Sequence, residues 1–364
     1  MRKQTRAVKV SDVIIGGGFP VTIQSMLNIP LTDTDRVLAS IRALEDAGCQ
    51  IIRAAVPDME SAEAIKTVLP QMRVPLVADI HFDYRLDIAS VEAGVSKVRI
   101  NPGNIGGPDR VREVCACLRE HDIPVRIGVN SGSVEKDLLE KYGHVCAEAL
   151  VESAERSIGY FNEFGYDNIV MSIKASDVVM TVEANRLFSS RHDYPLHLGV
   201  TEAGAALTGV IRSSVGIGTL LMEGIGDTIR VSLTGDPVQE VTAAKEILTA
   251  VDMRREGVRI VSCPTCARCK TDTLSIVEYL RENTSHIKEN VVVAVMGCVV
   301  NGPGESREAD VGVACGDGKG AVFTGGEIYM TVATEDLKRV LLEEIEKIAE
   351  RKRLEAQGES TTHD

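Results

Sequence analysis

Three cysteines, Cys263, Cys266 and Cys269, stand three apart in the segment "SCPTCARCK". Cys298 follows in "MGCVVNGPGE" and Cys315 in "VACGDG". Thiolates separated by two residues, with a later partner, suit zinc or an iron–sulfur cluster. A CxxC pair also suits thiol–disulfide exchange, but a convincing strand–CxxC–helix setting is missing here. Two features favour iron and sulfur. Pro264 lies inside the pair and a Gly-Pro-Gly loop follows Cys298. The rest of the chain offers an anion pocket but no obvious nucleophile or nicotinamide fingerprint, so a redox centre would supply the missing chemistry.

The anion pocket comes from a repeating pattern between residues 21 and about 234. A short apolar strand, a turn and an amphipathic helical stretch recur, with strands read at 21–26, 51–56, 75–81, 97–101, 124–130, 168–174, 196–202 and 228–233. Eight tandem βα units predict a (β/α)8 TIM-type barrel in preference to a doubly wound open sheet. Active sites of such barrels sit at the C-terminal ends of the strands, and alternate strand residues share a side. That parity gathers Arg53, Asp79, His81, Arg99, Asn101, Arg126, Asn130, Lys174, Glu202, Arg230 and Ser232 at the mouth.

Five fixed cations therefore come from five different strands. A lone strand arginine is usually exposed or ion-paired, and a lone histidine usually structural. Five cations at matching positions need an anion, because an unpaired buried charge costs several kcal/mol. Arginine's planar fork binds two phosphate oxygens at once, which points to a small substrate with more than one phosphate. Asp79 and Glu202 are candidates for acid–base work or hydroxyl binding, against simple ion pairing. "SVGIGTLLMEGIGD" is glycine-rich but lacks a complete phosphate-loop signature.

The elements around these residues divide the chain. Residues 1–255 read as the barrel, preceded by a small hairpin in "TRAVKV…VIIGGGFPVT". Residues 256–352 read as a smaller α/β domain carrying the cysteines, and 353–364 as a flexible polar tail. Cys49, Cys115, Cys117 and Cys146 fall in or beside barrel helices and read as packing residues. The composition is 44% hydrophobic and 26% charged, that of a globular protein with a sizeable core. A net charge of −13 argues against a general nucleic-acid or anionic-membrane binder. The N-terminus lacks the apolar region of a signal peptide, and no apolar run reaches the ~20 residues of a membrane span. A cytoplasmic protein is expected, where clustered cysteines bind metal or do redox work more often than they pair.

Several motifs together resemble one family. "ADIHFDYR", "VRINPGNIG", "RIGVNSGSVEKDLLEKYG", "SIKASD", "LHLGVTEAG", "GIGDTIRVSLTGDPV", "SCPTCAR" and "GCVVNGPGE" are similar to the bacterial (E)-4-hydroxy-3-methylbut-2-enyl diphosphate synthases of the methylerythritol phosphate route to isoprenoids. The resemblance runs from about residue 8 to 350 and is to the two-domain form. It implies a barrel followed by an iron–sulfur domain. It implies reductive ring opening and dehydration of 2-C-methyl-D-erythritol 2,4-cyclodiphosphate, with two electrons delivered singly by ferredoxin or flavodoxin. It further implies a [4Fe-4S] cluster held by Cys263, Cys266 and Cys298 and capped by Glu305. A carboxylate is a harder and weaker iron ligand than thiolate, so such a cap could yield to substrate.

Diphosphate-binding positions of the family match Arg53, Arg99, Arg126, Lys174, Arg230 and Ser232, with Asn130 nearby; Glu202 matches a proton-transfer glutamate. A homodimer is implied, with the cluster domain of one subunit closing on the barrel of the other. Two departures stand out. The family's usual residue at 269 is not cysteine, and "QSMLNIP" differs from the commoner "QSMTNT". Cys269 is expected to be a spare thiol rather than a cluster ligand. The competing readings are a ligand-binding barrel with a structural zinc domain, and a pterin-type barrel enzyme with an accessory cluster. The five cations speak against the latter, because a pterin does not need them.

Overall fold

The computed structural model describes residues 2–101, 108–298 and 308–360. An antiparallel hairpin, Ala7–Val10 (β1) and Val13–Gly16 (β2), precedes the repeat. Eight strands follow: Thr22–Met26 (β3), Ile51–Ala55 (β4), Leu76–Asp79 (β5), Lys97–Ile100 (β6), Val125–Asn130 (β7), Ile169–Lys174 (β8), His197–Leu198 (β9) and Thr228–Ile229 (β10). They pair in parallel in the order β8-β7-β6-β5-β4-β3-β10-β9. A parallel bridge between Met171 and Leu196 joins the two ends of that row and makes the expected barrel.

Alternation decides which side chains face inward. Val98, Ile100, Val125, Ile127, Leu196 and Leu198 belong to the large core shared with the surrounding helices. The residues between them face the barrel axis. Val8, Val10 and Ile15 of the hairpin pack with Ile51, Val77 and Val170, near the starts of three strands, into an apolar plug. Several of the helices that return the chain are capped by aspartates. Asp58, Asp177 and Asp236 accept hydrogen bonds from the backbone N–H of Ser61, Met180 and Val238, each cap contributing about 1 kcal/mol.

Two barrel strands are shorter than their sequence suggests. β9 and β10 keep only two residues each, where 196–202 and 228–233 read as full strands. Gly199 follows β9 directly. A Cβ there would lie 2.7 Å from both Lys174 Nζ and the Arg230 carbonyl oxygen. Glycine leaves the room that a buried lysine needs against the backbone, at the point where regular pairing stops.

The chain divides into two units, Met1–Arg254 and Arg255–Asp364. The second has its own core, built on Val258–Ser262 (β11), Val291–Met296 (β12), Val311–Cys315 (β13), Lys319–Thr324 (β14) and Glu327–Ala333 (β15). β11, β12 and β13 are parallel, and β14 and β15 continue the sheet antiparallel. β15, "EIYMTVA", is an edge strand that sequence reading passes over. It follows the turn at Gly325 and Gly326, both at positive φ. The last helix, Leu337–Ser360, runs well into the stretch expected as a tail.

Candidate active site

Asp79 ends β5 and anchors the barrel mouth. Arg99 Nη1 lies 3.3 Å from its Oδ1, Arg53 Nε 3.8 Å from Oδ2, and His81 Nε2 3.5 Å from Oδ2. Arg99 Nη1 also stands 3.2 Å from His81 Nδ1. Burial alone would raise the Asp79 carboxyl, but Arg53, the His81 hydrogen bond, Arg99 and Arg126 outweigh it and hold it well below the ordinary range. Burial also brings Arg53 down to about 10, with Asp79 opposing and Arg230 and Arg99 adding to the fall. Lys174 and Arg126 are driven down further. Burial is the main cause for both, followed by repulsion from neighbouring cations.

A depressed carboxylate contributes stability that is present above its unfolded pKa of about 4 and lost as pH falls through its folded value. Asp79→Asn is therefore expected to lower stability near pH 7 by ~3 kcal/mol, because it strands the arginines. It should also flatten the fall in stability below about pH 4. Urea denaturation of both proteins across pH 3 to 7 measures this; parallel curves would contradict the role.

The remaining mouth residues divide by environment. Arg230 donates through Nε and Nη2 to the two oxygens of Glu240, at 3.2 and 3.1 Å. Glu240, from the helix Pro237–Ala250, also accepts from Ser25 Oγ and the Leu233 N–H. Asn101 donates to Ser133 Oγ, which in turn donates to the Asn130 carbonyl. Asn130 and Ser232 are half-buried. Gly128 lets Arg99 cross β7, since a Cβ there would meet Arg99 Nε at 2.8 Å.

Strand parity does not place Glu202. Inward positions on this segment are His197 and Gly199, so continued alternation would turn Glu202 outward with Leu198. β9 has already ended, and Glu202 sits in a turn at φ +53° with its side chain exposed. A non-glycine residue in the left-handed region is a locally strained conformation of the kind that clusters at functional sites. Sequence reading also missed three polar groups. Lys97 and His197 satisfy the same parity rule and lie fully buried in the barrel. Glu240 is on a helix, where no strand rule could flag it.

In the second unit, β11 runs into Cys263 and β12 leads to Cys298. The strands are parallel neighbours, and the Gly297 N–H donates to Cys263 Sγ at 3.1 Å. Cys269 hydrogen-bonds through its backbone to the Cys266 carbonyl, and its thiol donates to the Thr271 carbonyl at 3.0 Å. Burial, with Cys269 and Cys263 nearby, pushes the Cys315 thiol up to about 11. Cys266 is exposed, and all nine cysteines are free thiols. Glu305 lies outside the described residues. Among those described, no three His, Cys, Asp or Glu side chains converge closely enough to hold a metal ion. The donor chemistry does fit an iron–sulfur cluster: soft thiols on two adjacent strand ends tied by a backbone N–H to sulfur bond. Cys49 and Cys115 are core residues, and Cys117 and Cys146 pack against that core.

Cys269→Ser is expected to leave the iron content of anaerobically purified protein nearly unchanged, because the hydroxyl can keep the bond to Thr271. A colourless, iron-poor variant would make Cys269 a ligand.

The fold and site define a (β/α)8 barrel with a cationic mouth, followed by a cysteine-bearing α/β domain. The GcpE TIM-barrel domain matches residues 5–245 and the GcpE protein C-terminal domain residues 259–347. The chain belongs to the GcpE family. It is 52% identical over 348 residues to the 4-hydroxy-3-methylbut-2-en-1-yl diphosphate synthase (flavodoxin) of Caldanaerobacter subterraneus subsp. tengcongensis, covering 96% of this chain and 98% of that one. The protein of the same name from Geobacter sulfurreducens is 51% identical, covering 96% and 99%. Among solved structures, Yersinia pestis dihydropteroate synthase aligns with 68% of this chain and 97% of its own, at 14% identity and a TM-score of 0.47. Among the described residues no helix is long and apolar enough to cross a membrane.

Proposed function

We propose that the chain catalyses the reaction its curated relatives are named for, forming 4-hydroxy-3-methylbut-2-en-1-yl diphosphate with flavodoxin as electron donor. The substrate in this reading is 2-C-methyl-D-erythritol 2,4-cyclodiphosphate. A ring carbon–oxygen bond to phosphate breaks and a hydroxyl leaves as water, consuming two electrons and one proton. The supporting observation is the mouth itself, where Arg53, Arg99, Arg126 and Lys174 are buried around the single carboxylate of Asp79. A cyclic diphosphate supplies the missing negative charge. Opening the ring adds a further negative charge to the leaving diphosphate, so fixed cations stabilise the broken bond more than the intact one.

Arg53, Arg99, Arg126, Lys174, Arg230 and Ser232, with Asn130, hold the diphosphate in this scheme. Asp79 and His81 fix the arginine geometry, and Asn101 holds Ser133, which bonds the Asn130 carbonyl. Glu202 is the candidate proton donor for the departing hydroxyl. A [4Fe-4S] cluster on Cys263, Cys266 and Cys298, with Glu305 as fourth donor, would supply single electrons and an exchangeable iron. The zinc-domain alternative has no support from relatives named as flavodoxin-dependent enzymes.

Anaerobic turnover of the cyclodiphosphate with a chemical one-electron donor tests this reading. Product formation by a brown protein with about four irons per chain is expected; a colourless, inactive zinc protein would reject it.

A homodimer belongs to the same proposal. Leu207, Ile211 and Val215 are exposed at helical spacing along one helix, Ala206–Met222, the pattern of a stripe that a partner covers. Leu207→Glu with Ile211→Glu is expected to sediment as a monomer. A doubly substituted protein that stays dimeric would move the interface elsewhere.

A further inference from the structure

Beneath the cationic mouth lies a second group of buried polar side chains, of which only Arg126 has a role above. Lys97 and His197 are each 0% exposed. Lys97 Nζ, both ring nitrogens of His197, both amide atoms of Gln24, and Nε and Nη2 of Arg126 are closed to solvent. None has a hydrogen-bond partner among the described residues. Alternation puts these side chains inside the barrel, since their strand neighbours Ile23, Val98, Val125, Ile127 and Leu198 belong to the outer core. The hairpin plug on Ile51, Val77 and Val170 seals the N-terminal end.

These groups share one electrostatic neighbourhood. Lys97 is pushed far down, by burial first and then by Arg126 and Arg53. His197 is pushed down by burial and then by Lys174, Arg126 and Lys97. Asp79, the carboxylate that balances Arg53 and Arg99, makes no ion pair with Lys97 or Arg126. The atoms are also mostly donors. Lysine and arginine nitrogens here offer only N–H, and Gln24 and His197 supply a minority of acceptors. Water alone would satisfy donors and acceptors evenly and would leave the buried charge uncompensated.

We propose that the barrel interior holds a small inorganic monoanion of halide size, ligated by Lys97 Nζ, the inward edge of the Arg126 guanidinium and an N–H of His197. The site goes beyond the diphosphate reading and shares only Arg126 with it. Its atoms are closed to solvent, so a substrate entering from the mouth does not reach them without movement. A bound monoanion keeps Lys97 charged and offsets its repulsion of Arg126. The guanidinium then presents its outer edge to the mouth from a neutralised base.

The test uses the full-length, anaerobically purified protein dialysed from gluconate into bromide. Crystals in bromide are expected to show an anomalous peak within hydrogen-bond reach of Lys97 Nζ and Arg126, absent from Lys97→Met crystals. In solution, the melting temperature is expected to be a few degrees higher in bromide than in gluconate of equal ionic strength. That difference should vanish in Lys97→Met and Lys97→Gln. A water without anomalous signal at this place, or equal melting of the wild type in both salts, overturns the proposal. A peak that persists in Lys97→Met marks an adventitious ion only and also overturns it. Pyrophosphate affinity reads the mouth separately, so a missing halide with intact pyrophosphate binding rejects this site and leaves the proposed function standing.

Discussion

Arg126→Met is expected to weaken pyrophosphate binding about 100-fold while leaving the melting temperature of the ligand-free protein, compared in gluconate, unchanged or higher. Arg126 is 1% exposed, and its Nε and Nη2 have no partner among the described residues. Burial, then Arg53 and Arg99, already work against its charge. Methionine fills the space of the arginine stem with a flexible apolar chain, so the exchange removes a repelling charge without opening a large cavity. The bound state responds in the opposite sense. A hydrogen bond to a charged group contributes roughly 1.5–3 kcal/mol, and ~2.7 kcal/mol is a factor of 100. Opposite effects on stability and affinity separate an anion-binding arginine from a structural one. Asp79→Asn should do the reverse to stability, because it removes the carboxylate that the other arginines share. Calorimetric titration with pyrophosphate, paired with thermal melts, decides it. An unchanged dissociation constant would remove Arg126 from the diphosphate site.

The barrel was legible because each strand carries its own period-two signal between helix-forming stretches. The mouth was legible for the same reason: Arg53, Asp79, Arg99 and Arg126 lie on regular strands, where parity holds. Parity does not bring Glu202 to the mouth: with His197 and Gly199 inward the rule turns it outward, and β9 has in any case stopped at Leu198 before the chain turns through a positive φ. No local pattern shows that Gly199 must make room for Lys174, since that clash belongs to tertiary contact. Lys97 and His197 did obey the parity rule. They begin their strands, deep in the barrel, away from the C-terminal strand ends where the active site of such a barrel lies. Glu240 could not be found at all from its own helix; only its bonds to Arg230 and Ser25 mark it. β15 carries an alternating apolar set, Ile328, Met330 and Val332, but it is exposed along most of its length, and its pairing with β14 is what identifies it.

Cys263→Ser is expected to abolish iron loading, to about a tenth of the wild-type content or less, while pyrophosphate binding by the barrel persists. Cys263 follows β11, and its Sγ accepts the Gly297 N–H immediately before Cys298. Serine can still accept that bond, so the two strand ends remain tied and the local fold has little reason to change. What it cannot supply is a soft thiolate, since an alcohol oxygen is a poor match for iron–sulfur chemistry at neutral pH. The substitution thus isolates ligand chemistry from loop structure. Cys269 gives the matched comparison in the same short segment: its thiol donates to the Thr271 carbonyl, and Gly297 leaves the space that its sulfur fills. That contact gives Cys269 a structural role which serine can share, and the proposal is that it is not a cluster ligand. Iron analysis and visible absorption of both variants, purified without oxygen, separate the assignments. A brown Cys263→Ser protein beside a colourless Cys269→Ser protein would exchange the two residues' roles and move the cluster towards Cys266, Cys269 and Cys298.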